Sequence, residues 1–192
     1  LHGSGLPAPE LIDERPGVIV MTHLGGERLD DLDSEARREG LRASAVLLRD
    51  LHRRAVPDVL PDAPDDGEII ERYRASDAPS LPLHLPPRTG TSFCHGDWAD
   101  GNLLASAGRI TGIADWEAAH RGDPMRDLSR AVWHACRKDP LSARALVDGY
   151  GADPEIVSAW APIHAAALWL WFEQAGPPEY LERLTAELRD WA

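Results

Sequence analysis

Phe93-Cys94-His95-Gly96-Asp97-Trp98-Ala99-Asp100-Gly101-Asn102-Leu103-Leu104-Ala105 is the stretch on which the fold turns. Ser92-Phe93-Cys94 and Leu103-Leu104-Ala105 are short apolar runs, Ala107-Gly108 is a turn, and Ile110-Thr111-Gly112-Ile113 is a third run rich in β-branched residues. Short apolar runs punctuated by turn residues predict strands, and the last two runs predict a small β-hairpin. A hairpin there returns the chain to the edge it left, so Asp115, just past the second strand, comes back beside Asn102.

Beyond Pro124 the pattern turns helical, with helices predicted near 127–137, 141–149, 155–175 and 178–191 and punctuated by Pro140, Pro154 and Pro177-Pro178. Trp160, Ile163, Leu168, Trp169, Leu170 and Trp171 spread over all faces of the third, which predicts a central helix. On the amino-terminal side, Val18-Ile19-Val20-Met21 lies between Pro16-Gly17 and Gly25-Gly26 and predicts a buried strand. Ser34 is placed to cap a helix reaching about Arg54, with Leu41, Ala45, Leu48 and His52 as one inward stripe. Residues 56–66 and 77–90 are rich in Pro, Asp and Gly and predict loops around a short helix at 68–73.

A chain of 192 residues can build one good core, or a large lobe plus the remnant of a smaller one. Its 43% hydrophobic and 27% charged residues are globular proportions. The net charge of −12 argues against a nucleic-acid partner, which needs clustered Lys and Arg, and would attract a cationic substrate. Two cysteines, Cys94 and Cys136, form neither a disulfide framework nor a metal-ligand spacing, which fits a reducing cytoplasm. The most apolar stretch, 160–172, holds Pro162 and His164 and falls short of the roughly 20 residues that span a bilayer. Leu1-His2-Gly3-Ser4-Gly5 is not a charged-then-apolar leader, so export is not expected.

Asp97 and Asn102 stand in the spacing Asp-x-x-x-x-Asn, that of a kinase catalytic loop in which the Asp receives the acceptor hydroxyl proton and the Asn binds a metal. Asn102 and Asp115 both offer oxygen ligands, which suit Mg2+ and leave room for water and phosphate oxygens. Phosphoryl transfer needs such a set, because phosphate charge must be neutralised while the acceptor oxygen is held in line. The plain alternative is a capped turn with two surface carboxylates. A metal-dependent hydrolase using His95 is disfavoured, since no second histidine has ligand spacing.

The segment from Phe93 to Leu104, with Gly112-Ile113-Ala114-Asp115-Trp116-Glu117, Gly122-Asp123-Pro124 and Asp127-Leu128, resembles the aminoglycoside phosphotransferase and choline kinase-like family. The resemblance covers about residues 6 to 175. It implies the larger, mostly helical carboxyl-terminal lobe of a protein-kinase-like α+β fold, with a small catalytic β-hairpin and a remnant amino-terminal strand. It implies Asp97 as catalytic base, Asn102 and Asp115 as Mg2+ and nucleotide ligands, and His95 as a supporting residue that orders the loop. Val20-Met21-Thr22-His23-Leu24-Gly25-Gly26 resembles the interlobe hinge, where backbone groups of Thr22 and Leu24 would bind the adenine of ATP. Residues 1–24 are then the amino-terminal remnant and hinge, and 25–192 the catalytic and substrate lobe.

One part of the family pattern has no counterpart: a Gly-rich loop, a strand lysine and a glutamate helix do not fit into the 17 residues ahead of Val18, and the sole lysine, Lys138, follows the catalytic segment. Losing one such charge-stabilising donor costs about 100- to 1,000-fold in rate. A fragment of a longer enzyme, a truncated product and a divergent protein are all compatible with this. The expected function is ATP-dependent transfer to a hydroxyl of a small molecule, with an aminoglycoside-like antibiotic as the candidate acceptor and choline, homoserine or sugar-type acceptors as alternatives. The rival expectation is a truncated noncatalytic nucleotide-binding or scaffold module. Asp123 and Asp127 are assigned to turns and caps, Trp116 and the late tryptophans to packing, Glu117 to an open secondary role, and the acidic clusters after the hinge and in the 56–66 loop to solvated surface.

Overall fold

The computed structural model describes residues 5–191, so the leader expectation for the first five residues rests largely outside it. The fold is α+β and about half helical, with three small antiparallel sheets among the described residues.

Strands β1 (Leu11–Arg15) and β2 (Val18–Met21) pair through a two-residue turn at Pro16-Gly17. Proline supplies the first turn position and Gly17 takes a φ of 76° at the second, the pairing a type II turn requires. The predicted strand is present but not buried. Val18, Ile19, Val20 and Met21 are all exposed, because β1 is the only strand paired with β2 and no described element covers the hairpin's faces. Charged Asp13, Glu14 and Arg15 mask β1 from an apolar-run reading.

A 3-10 turn at Leu29–Asp31 leads from β3 (Glu27–Arg28) to helix α1 (Ser34–His52). Asp33, not Ser34, caps α1, accepting from the Glu35 and Ala36 amides; its carboxylate lies one residue before the helical run and reaches both free donors. The stripe Leu41, Ala45, Leu48 and His52 is buried as predicted. Helix α2 (Asp66–Arg74) follows, capped by Asp65.

The predicted hairpin is β5 (Leu103–Ser106) with β6 (Arg109–Ile113), and β3 pairs on the far side of β5. Strand β4 (Ser92–Cys94) pairs with β7 (His120–Gly122), which the sequence reading did not anticipate. Helices α3 (Pro124–Lys138), α4 (Pro140–Tyr150), α5 (Pro154–Ser158), α6 (Ala161–Ala175) and α7 (Pro178–Arg189) complete the chain. The single helix predicted over 155–175 is two helices. Pro162 has no N–H to continue the first, so α6 starts afresh with that proline in its opening turn. Nor is α6 covered all round: Trp171 is 55% exposed.

One core lies among α1, α3, α4 and the β5–β6 hairpin, and a second among α2, α6 and α7. Helices α1 and α4 approach so closely that a Cβ on Gly149 would lie 2.4 Å from the Arg42 carbonyl oxygen. Among the described residues no helix is long and apolar enough to cross a membrane.

Candidate active site

The loop after β4 is pinned from below by one buried carboxylate. Asp127, in the first turn of α3, accepts the backbone N–H groups of His95 (2.7 Å) and Gly96 (2.9 Å). Its Oδ2 also lies 3.2 Å from His52 Nε2, and His52 Nδ1 lies 2.8 Å from the Tyr150 hydroxyl. Helices α1, α3 and α4 are thereby tied to a single loop. Burial alone would push the Asp127 carboxyl up, but the His52 hydrogen bond and the neighbouring histidines hold it well below the usual carboxylate range. Burial and the adjacent Asp127 and Asp123 push the Cys94 thiol up, leaving it an inert core group. His52, Cys94 and Asp127 are close enough to share a metal ion, but each already has hydrogen-bond partners.

Gly96 turns the chain at φ 81°, and a Cβ there would lie 2.1 Å from the Ala118 carbonyl oxygen. His95 is fully buried; its Nδ1 accepts the Asp97 N–H (3.2 Å), so Nε2 donates to the Ala114 carbonyl (3.0 Å). Burial lowers its pKa, in keeping with this neutral tautomer. Its ring packs against Trp98 and Trp116, whose indole N–H donates to the Ile113 carbonyl. His95 thus couples the 95–102 loop to the end of β6, and Trp116 is packing.

Asp97 emerges from this frame with both carboxylate oxygens engaged. Arg130, from α3, donates to Oδ1 at 2.6 Å, and Asn102 Nδ2 donates to Oδ2 at 3.0 Å and to the Asp97 carbonyl at 2.9 Å. Asn102 ends a 3-10 turn, Asp100–Asn102, that runs directly into β5. Across the hairpin Leu103 faces Ile113, and the Ala114 N–H donates to the Asn102 carbonyl (2.8 Å). Asp115 therefore follows immediately beside Asn102, as the hairpin reading expected. It takes a left-handed φ of 60°, a strained choice for a residue with a Cβ. Among the described residues its exposed carboxylate has no hydrogen bond or ion pair.

Asp97 and Asp115 line one cleft of about 670 Å³, with Glu117 and His120 on the loop side, Arg126, Arg130, Trp133 and His134 from α3, and His164, Ala167, Leu168 and Trp171 from α6. A second depression of about 620 Å³, between residues 5–10 and 108–110, shares nothing with the 95–102 loop. Thr22 and Leu24 do not line the cleft. The Thr22 N–H donates to the Glu10 carbonyl and its hydroxyl accepts the Glu10 N–H, both at 2.9 Å, while Leu24 packs over Gly112 of β6. Residues 22–25 thus join the back of the hairpin rather than Asp97, and Thr111 Oγ1 fastens them by donating to the Gly25 carbonyl.

Asp123 caps α3 and accepts from Thr89 and Gly90, as expected of a structural carboxylate. Sequence reasoning missed Arg130, the bond from the predicted inward His52 to Asp127, and the buried pair Arg126–Asp66 (2.7 Å) that fixes α2 to α3. It also missed Lys138, which bridges Asp30 and Asp100 and so braces the turn bearing Asn102. The acidic residues read as solvated surface are partly such anchors: Asp33 and Asp65 cap helices, and Asp66 is buried.

The model of the phosphotransferase enzyme family matches residues 1–162. Among solved structures, a choline/ethanolamine kinase family protein from Mesorhizobium loti superposes with a TM-score of 0.66 at 18% identity, over 98% of this chain and 74% of that one. The GDP and kanamycin complex of APH(2")-IIia superposes at 0.68 and 16% identity, over 95% and 75% of the two chains. Aminoglycoside phosphotransferase APH(3'')-Id from Streptomyces rimosus, with ADP and streptomycin, does so at 0.60 and 21%, over 83% and 75%. At these identities the likeness establishes the fold. A segment of 71 residues is 32% identical to acyl-CoA dehydrogenase family member 10 of Mus musculus, but it spans only 7% of that protein. On the family match over most of its length, this chain belongs to the phosphotransferase enzyme family.

Proposed function

We propose that the chain transfers the γ-phosphate of ATP to a hydroxyl of a small molecule. The observation that carries this reading is the Asp97–Asn102 pair, locked by two hydrogen bonds beside an uncommitted Asp115, at a cleft large enough for an acceptor. In this reading Asp97 receives the hydroxyl proton: Arg130 and Asn102 fix its orientation, and each oxygen keeps a lone pair for the incoming hydroxyl. Backbone groups of Thr22 and Leu24 meet the adenine, residues 1–24 are the remnant of the smaller lobe and the hinge, and 25–192 form the catalytic and substrate lobe. Free thiols at Cys94 and Cys136 accord with a cytoplasmic setting.

The donor set fits Mg2+. Both Asn102 Nδ2 hydrogen bonds go to Asp97, which turns the amide oxygen the other way, and the Asp115 carboxylate is free to bind. When bound, the ion supplies charge neutralisation at the β- and γ-phosphates. The chain's own residues hold the acceptor oxygen and take its proton.

Calorimetry of Mg-ATP with wild type and Asp115→Ala, together with ATP turnover over a panel of alcohols headed by kanamycin and streptomycin, tests the proposal. Binding that vanishes in Asp115→Ala and turnover with at least one alcohol are expected. Absence of turnover in any context, including one with an upstream lobe restored, sinks the reading. A second reading is a nucleotide-binding module without turnover. Mg-ATP binding with no turnover would select it.

A further inference from the structure

Three residues of α3 hold the 95–102 loop, and they follow one another along the helix in the order their partners take along the loop. Asp127, in the first turn, accepts the His95 and Gly96 amides, Arg130 pairs with Asp97, and Lys138, the last helical residue, pairs with Asp100 at 3.0 Å. The first two contacts fix where the loop begins and how Asp97 stands. The third acts at the far end, on the 3-10 turn that delivers Asn102 to β5.

That third contact is supported on every side. Asp100 opens the turn and is only 6% exposed, so its carboxylate needs a counter-charge. The Asn102 N–H donates to the Ala99 carbonyl and the Leu103 N–H to the Asp100 carbonyl, which ties Asn102 to whatever holds Asp100. Lys138 also pairs with Asp30, whose Oδ2 would lie 3.5 Å from a Cβ on Gly101, in the middle of the same turn. Asp30 has its own anchor, because its neighbour Leu29 is fully buried and packs against Gly40 of α1. The Lys138 backbone is fixed as well: the next residue, Asp139, caps α4 and pairs with Arg38 of α1 at 3.1 Å. Partial burial would lower the Lys138 pKa, but the hydrogen bonds to Asp30 and Asp100 raise it above its usual value, so the ammonium stays charged.

We infer that Lys138 is a positioning residue for the metal ligand Asn102: by clamping Asp100 and Asp30 it holds the turn that presents the Asn102 amide oxygen beside Asp115. This rests on the Mg2+ reading of Asn102 and Asp115. An exposed ion pair without this role would change neither the turn nor the metal site. Removing a residue that supports a metal ligand typically costs about 10- to 100-fold in affinity. In calorimetry of Mg-ATP, Lys138→Met and Asp100→Asn are each expected to bind about tenfold more weakly than wild type, and Lys138→Arg within about threefold of it. Arg38→Met breaks the neighbouring ion pair without touching the loop and is expected to bind as wild type does. In the protein free of metal and nucleotide, amide exchange at Asn102 and Leu103 should quicken about tenfold or more in Lys138→Met, while exchange at Gly96, held by Asp127, stays as it was. Unchanged Mg-ATP affinity in Lys138→Met, equal weakening in Arg38→Met, or unchanged exchange at Asn102 overturns the inference. So does exchange that rises equally at Gly96, the mark of general loosening. The two ideas fail distinguishably: wild type that binds no Mg-ATP removes the Mg2+ reading and this inference together, whereas wild type and Lys138→Met binding equally well removes the inference alone.

Discussion

Removing the Asp127 carboxylate is the most informative perturbation of this fold. Asp127→Ala strips the partner from three buried donors: the His95 and Gly96 amides and His52 Nε2. An unsatisfied buried donor costs about 1–3 kcal/mol, and His52 keeps its Tyr150 contact, so the loss should be about 3–6 kcal/mol. That is a large share of the roughly 5–15 kcal/mol that holds a domain together. Asp127→Asn keeps one acceptor oxygen but turns an NH2 toward donors, and should cost about 2–3 kcal/mol. Guanidinium denaturation at pH 7 reads both variants, and amide exchange at His95 and Gly96 shows whether the loss is centred on the loop. A loss under about 1 kcal/mol for Asp127→Ala, with Gly96 exchange unchanged, would refute the reasoning. The carboxyl is depressed in the fold, so its stabilisation is complete above the unfolded pKa near 4 and is lost as pH falls through the folded value. Asp127→Asn should therefore flatten the acid side of the stability profile.

Gly96→Ala should cost about 3 kcal/mol or more in thermal denaturation, since it adds left-handed strain to a 2.1 Å clash with backbone that cannot swing aside. Arg126→Met alone should lose about 3–5 kcal/mol by stranding buried Asp66, and the double variant Arg126→Met/Asp66→Leu should recover most of it; a double-mutant cycle by urea denaturation checks this. Asp97→Asn should retain Mg-ATP affinity within about threefold while lowering turnover about 100-fold or more, measured by coupled assay and calorimetry on one preparation.

Local signals made some elements legible and longer-range packing hid others. The hairpin could be read because apolar runs, Ala107-Gly108 and β-branched residues all pointed the same way. Strand β7 could not: His120, Arg121 and Gly122 carry no strand signal and pair only because β4 lies alongside. The break before α6 was legible in principle from Pro162, but an apolar run with a proline near its middle is compatible with one kinked helix or two. The exposure of β2 was not legible, because an apolar strand states what it can bury and not whether a neighbour is present.

The candidate site divides in the same way. Asp97, Asn102 and Asp115 were visible because one short hairpin joins them, so sequence spacing stands in for distance. Arg130 comes 33 residues after Asp97, on a helix whose facing depends on the whole three-dimensional packing. Its neighbours in sequence say only that position 130 shares a face with 126, 133 and 134. The same holds for the cleft wall. His164, Ala167, Leu168 and Trp171 form a periodic stripe that reads as core by its apolar content, and only the packing shows that its last residue opens onto the space in front of Asp97. A net charge summed over the chain does not say which charges face this cleft, for the same reason. Of the 32 acidic side chains only Asp62, Asp97, Asp115 and Glu117 line it, and Arg130 already offsets one of them. Long-range attraction can draw a cation toward the protein, but desolvation inside the cleft decides what stays, and that depends on the few groups in contact.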